Sequence, residues 1–223
     1  MKAFKLFATV FAFVLYVGSS FAQNPTYTLD CNDFTLNAQE NEVQWDIEMT
    51  WTNSGIAPNY EYAGGQFFFN VNSDAIRNGG TLVYDTSAIS DLPVNMRPRN
   101  PSIFSNGDGT SQLRLAVNTF PGAGSGYPMP AGVPVRIFRM ELRTTASIFS
   151  TTNLNLSWRN ALPNPFTKIF AYVGTTNTDI STPATHTINN NINPLPVELA
   201  SFTAVTNRNN VTLSWSTSKE TNN

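Results

Sequence analysis

From Val43 to Trp51 the chain alternates without a break. Val43, Trp45, Ile47, Met49 and Trp51 fall on one side, and Gln44, Asp46, Glu48 and Thr50 on the other. Successive side chains of a strand point to opposite faces, so this run has one dry face and one wet face. A parallel sheet covered on both sides reads as a continuous apolar run instead, so the pattern selects an antiparallel sheet packed on one side. Further strand signals follow at Gly65–Val71, Gly80–Tyr84, Gln112–Val117, Val133–Arg143, Leu154–Trp158 and Ile169–Val173. Asn-Gly, Gly-Asp-Gly and Pro-Gly turns separate them, and no window carries a convincing helical period. The expected fold class is all-β: an antiparallel β-sandwich, then an incomplete second β-sandwich.

One strand breaks its own rhythm. In Val133–Arg143 the residues Val133, Val135 and Ile137 share one parity, whereas Phe138, Met140 and Leu142 share the other. A one-residue change of phase inside a strand is what a β-bulge produces, so a bend is expected near Ile137 and Phe138. Asn106-Gly107-Asp108-Gly109-Thr110 reads as a hairpin turn; the spaced ligands and closing Glu of a calcium loop are missing. Pro121-Gly122-Ala123-Gly124-Ser125-Gly126 is glycine-rich, but Pro128, Pro130 and Pro134 forbid the helix that a phosphate loop needs. It reads as a surface loop.

The front of the chain has the layout of a secretory signal. Lys2 and Lys5 precede the apolar run Leu6–Val17, and Gly18-Ser19-Ser20-Phe21-Ala22 closes with small residues, so residues 1–22 are expected to be cleaved before Gln23. The apolar run is short of the about 20 residues that cross a bilayer, and no other stretch is long and apolar enough to span one. The expected location is secreted or at the outer cell surface. Charged residues make up 13% of the chain and the net charge is −2. Such a balance argues against a nucleic-acid or acidic-membrane partner, both of which need clustered Lys and Arg. Cys31 is the single cysteine, so no internal disulfide can form and the core must hold the fold. Beside Leu29 in a strand-like run, Cys31 reads as a small buried apolar group.

Candidate chemistry is sparse. The single histidine, His186, has no nearby Asp or Cys in sequence to complete a triad or a zinc site, and reads as a solvent-facing or strand-edge residue. Glycoside hydrolysis needs two carboxyls across a cleft. Glu42, Asp46 and Glu48 line the wet face of one strand and are explained by it, while Asp85, Asp91 and Glu141 are scattered. No catalytic residue, metal site or cofactor is expected. Aromatics with loop positions, Tyr60, Tyr62, Phe120 and Tyr127, are the candidates for ligand contact. Trp45, Trp51 and Trp158 run in phase with aliphatic neighbours and are expected in the core.

Gly64-Gly65-Gln66-Phe67-Phe68-Phe69-Asn70-Val71, Leu113-Arg114-Leu115-Ala116 and the Gly132–Leu142 strand resemble the jelly-roll sandwich of cohesin-like and carbohydrate-binding-module-like domains. Near the C-terminus, Leu195–Ala204, Val211–Thr217 and Glu220–Asn223 resemble the start of the fibronectin type III-like domain of secreted Bacteroidetes proteins. That domain commonly precedes a type IX secretion signal. The expected organisation is a signal peptide at 1–22, a cohesin-like sandwich at 23–178, a linker at 179–194, and an incomplete fibronectin type III-like domain at 195–223. What the resemblance implies is a non-catalytic adhesion or scaffold module of a longer multidomain surface protein, binding a partner protein module. No dockerin-type calcium repeat occurs, so such a partner would come from elsewhere. Polysaccharide binding through the loop aromatics is the alternative reading, and a glycoside hydrolase is a third.

Overall fold

The computed structural model describes residues 23–57, 59–117, 119–151, 153–189, 198–207 and 210–219. The expected signal peptide, the Pro194 boundary and residues 220–223 lie outside them. In chain order the strands are β1 (Tyr27–Leu36), β2 (Glu42–Trp51), β3 (Glu61–Val71), β4 (Leu82–Thr86), β5 (Arg99–Ser105), β6 (Ser111–Ala116) and β7 (Tyr127–Pro128). They continue with β8 (Val135–Thr144), β9 (Ser157–Trp158), β10 (Lys168–Val173), β11 (Thr176–Asp179), β12 (His186–Ile188), β13 (Glu198–Asn207) and β14 (Asn210–Lys219). A single turn of helix, α1 (Ser73–Ile76), follows β3, capped by Asn72 Oδ1 accepting from the Ala75 N–H at 3.2 Å.

The architecture is an all-β sandwich. The first sheet runs β12-β1-β2-β8-β4, and the second β11-β10-β3-β6-β5, with β7 and β9 added along β3. The expected alternation decides the packing. Trp45, Ile47 and Met49 are wholly buried and Trp51 nearly so. Trp45 sits at the centre of the sandwich, stacked between Phe34 of β1 (5.8 Å) and Tyr84 of β4 (6.0 Å), with Phe69 of β3 edge-on from the opposite sheet (6.1 Å). Cys31 is buried as expected, and burial followed by the nearby Asp30 charge pushes its thiol up, which keeps it inert.

The predicted bulge is present. Across β2 and β8, Ile47 pairs with Phe138 but Glu48 pairs with Arg136, so Ile137 is the extra residue. Both Ile137 and Phe138 therefore point into the core, 0% and 5% exposed. A second bulge interrupts β1 between Asn32 and Thr35, where Asp33 adopts φ +54°. The apolar residues change phase here as well, from Tyr27, Leu29 and Cys31 to Phe34 and Leu36, and Asp33 tolerates the left-handed region that the bulge requires.

The chain also continues the first sandwich further than its composition implies. Residues 179–189 fall in the stretch expected as linker, yet β12 pairs parallel to β1, from Leu29 with His186 to Cys31 with Ile188. Ile180 is buried, its N–H donating to the Ile169 carbonyl at 2.9 Å. A short Thr- and Asn-rich edge strand has too few apolar residues to show a period, and tertiary pairing supplies what the sequence pattern lacks. Strand β5 is similar, an edge strand holding Pro101 and a register shift between Arg99 and Ser102.

Strands β13 and β14 form a separate antiparallel hairpin, as the two apolar runs imply. Phe202 faces Trp215 and Ala204 faces Leu213 on one side of it. Phe202, Leu213 and Trp215 are each more than half exposed.

Truncating Trp45 to Ala removes the element that both sheets pack on. It is expected to cost about 3–5 kcal/mol, read as a drop in urea midpoint without a change in the slope.

Candidate functional site

The four loop aromatics separate. Tyr60 and Tyr62 belong to the core, 2% and 0% exposed, because the start of β3 carries them inward. Tyr60 donates to Met49 Sδ at 3.0 Å and meets Trp51 edge-on. Both rings are thus buried and not on an open loop surface, although Tyr60 lines a cavity with Trp51 and Met129. Tyr127, on β7, is half-buried against the core. Phe120 alone stays open, 44% exposed, and packs at 5.1 Å on Phe170 of β10. The 119–126 loop crosses the sheet here because Gly64 has no side chain: a Cβ would come within 2.5 Å of Val117 and 3.4 Å of the Phe120 ring. The Tyr172 hydroxyl accepts from the Gly122 N–H at 2.7 Å and ties the loop down.

Phe120 thereby joins the outer face of the second sheet, where the site takes shape. On β6 the charged residue pointing outward is Arg114, opposite Phe68 of β3 and Ser102 of β5. Its guanidinium lies 4.1 Å from the ring centre of Phe104 and donates to Gln112 Oε1 at 2.9 and 3.2 Å. Arg99 faces outward from β5, opposite Ala116. Arg159, beyond β9, donates to the Pro165 and Pro163 carbonyls at 2.7 and 2.8 Å and lies 3.5 Å from Asn70 Oδ1. Among the described residues none of these three arginines forms an ion pair. Partial burial and then the Arg159 charge push the Arg114 guanidinium below its ordinary value. Lys168 of β10 is the exception, paired with Asp179 at 2.9 Å and lying over the Phe166 ring at 5.2 Å. The result is a mainly cationic face interleaved with Phe104, Phe120, Phe166 and Phe170, with Asp179 as the acid beside Lys168.

The outer face of the first sheet has the opposite sign. Its centre is Asp46, wholly buried beneath two arginines: Arg136 Nε donates to Oδ2 at 2.6 Å, and Arg139 donates to Oδ1 at 2.7 Å and Oδ2 at 2.8 Å. Arg136 and Arg139 have opposite parity and reach the same carboxylate only because the bulge at Ile137 puts both on one face. Around this clamp the acids pair with each other. Asp30 lies opposite Glu48 across β1 and β2, and Asp85 opposite Glu141 across β4 and β8. Burial first, then Glu42 and Asp85, raise the Glu141 carboxyl. The carboxylates of Asp33, Asp46 and Glu48 come within 4.8 Å of one another, but guanidiniums already occupy both Asp46 oxygens where a cation would sit. Glu42, Asp85 and Glu141 stand side by side on an open sheet, not across a cleft.

His186 occupies the sheet edge, as expected, but it is held and largely buried. Its Nε2 is 3.0 Å from the Tyr27 hydroxyl, which accepts from the Thr182 N–H at 3.1 Å, and its Nδ1 is 2.7 Å from Asn160 Oδ1. A neutral ring carrying its proton on Nδ1 satisfies every group. Burial, only partly opposed by Asp30, lowers its pKa to about 4. Asn160 and Tyr27 are far from His186 in sequence, so spacing alone could not find these partners.

Comparison with known proteins finds neither a matching family model nor a matching curated protein.

Replacing Asp46 with Ala strands two guanidiniums. The expected cost is about 3 kcal/mol in urea unfolding, with Asp46→Asn losing less because it keeps the acceptor oxygen. His186 gives a second prediction. Between pH 6.5 and about 4 the unfolded chain binds a proton that the folded chain refuses, so stability falls with falling pH across that window. The loss is on the order of 2 kcal/mol once partial exposure is discounted. The single histidine makes its NMR titration unambiguous, and His186→Gln should remove this part of the slope.

Proposed function

We propose that the chain is a secreted, non-catalytic adhesion or scaffold module of a multidomain cell-surface protein, and that it holds an acidic protein partner on the outer face of its second sheet. The observation that carries the reading is the row of Arg99, Arg114 and Arg159, without ion-pair partners among the described residues and flanked by the exposed Phe104 and Phe120. Arg114 is held in place by Gln112 and Phe104, and Arg159 by two carbonyls, so little side-chain freedom is lost on binding. Arginine and aromatic side chains are the types that dominate protein interfaces, and carboxylates match the fork of a guanidinium. The two-sheet sandwich supports the cohesin-like resemblance, which implies the same kind of non-catalytic protein binding.

A neutral glycan fits less well, because Tyr60 and Tyr62 are withdrawn into the core and leave Phe120 as the open aromatic of the four. The test is titration calorimetry of the chain with a glutamate-rich peptide and, in parallel, with neutral polysaccharides. Saturable peptide binding is expected, weakened roughly tenfold by Arg114→Glu and weakened further by added salt. Binding of a neutral glycan alone, insensitive to salt and to Arg114→Glu, would overturn the reading.

A further inference from the structure

The two outer faces of the sandwich are complementary to each other. On the first sheet, like charges stand directly opposite across neighbouring strands, Asp30 with Glu48 and Asp85 with Glu141. Such pairs destabilise a sheet when nothing of opposite charge covers them. Arg136, Arg139 and Arg143 share that face, opposite Glu48, Asp46 and Glu42, but the first two are committed to Asp46, and Arg143 offsets the burial and acidic neighbours of Glu141 only in part. On the second sheet Arg99, Arg114 and Arg159 lack carboxylates within ion-pair distance among the described residues. Like charges therefore crowd around Glu141 on one face and between Arg114 and Arg159 on the other, and each face offers the charge that the other lacks.

Geometry agrees with charge. Both faces are built on five-stranded paths, β12-β1-β2-β8-β4 and β11-β10-β3-β6-β5. With strands about 4.8 Å apart and roughly 20 Å long, each face offers on the order of 500 Å². That lies at the low end for a specific contact, which makes the association weak and dependent on concentration.

We propose that the acidic partner of the cationic face is the first-sheet outer face of a second copy of this chain. This rests on the cationic face being the binding surface. The contact is heterologous: a copy that docks its acidic face still offers its cationic face on the opposite side of the sandwich. Successive copies therefore add in a row and do not stop at a closed dimer.

Sedimentation velocity of the full chain over a concentration series tests this. At low salt the mean sedimentation coefficient should rise with concentration without levelling at a dimer, and should return to the monomer value at high salt. Two double variants separate the faces, R99E/R114E on one and D85K/E141K on the other, with circular dichroism confirming that each stays folded. Each alone should be a monomer, because both of its faces now have the same sign. Mixed in equal amounts they should associate again, since each variant then offers faces of the sign that the other lacks.

A chain that stays monomeric at low salt overturns the proposal. Saturable binding of the glutamate-rich peptide by that monomer would leave the cationic face as a binding surface for another partner, and loss of both would sink the two readings together. Association that strengthens with salt and persists in both double variants also overturns it, pointing to the exposed Phe202, Leu213 and Trp215 of the hairpin. If one double variant fails to fold, the other and the salt series still decide the outcome.

Discussion

The pairing of β2 with β8, slipped by one residue at Ile137, is the constraint on which both sides of the first sheet depend. Inward, the slip lets Ile137 and Phe138 both enter a core that strict alternation would deny to one of them. Outward, it brings Arg136 and Arg139 onto the same carboxylate. Burying Asp46 without those partners would be prohibitive, so the extra residue in β8 and the buried acid in β2 are two halves of one arrangement.

With no disulfide available, the sandwich relies on aromatic packing to join its layers. Trp45 touches three aromatic rings contributed by β1, β3 and β4, which ties strands of both sheets to one side chain. Two of the sandwich's four edge strands are held or guarded by other means. The β12 strand is fastened to β1 through Tyr27 and His186, and β5 carries Pro101 and an irregular register that discourage another strand from adding there. The two outer faces are the broad surfaces of the sandwich.

Those faces differ because each sheet's wet positions were filled with a different charge. The cationic side gathers side chains from β5, β6, β10 and the segment after β9, and the acidic side from β1, β2, β4 and β8. A formal net charge of −2 conceals this division, since opposite patches cancel in a sum but not in space.

Much of the fold was legible locally. The period of two in Val43–Trp51, the phase slip before Phe138, the turn at Asn106–Thr110 and the burial of Cys31 follow from pleat geometry and side-chain polarity, which act between near neighbours. The candidate surface was not legible, and Tyr60 and Tyr62 show why: an aromatic beside a turn can face either way, and only the pairing of Tyr62 with β10 and β7 and the packing of Tyr60 on Met49 and Trp51 turned them inward. Arg99, Arg114 and Arg159 are isolated in sequence and become one patch only when strands distant along the chain lie side by side. By itself the sequence determined which residues must be dry and therefore that the chain builds a β-sandwich. Which charges share a face was decided by strand order and register alone, because these join residues that no local rule connects.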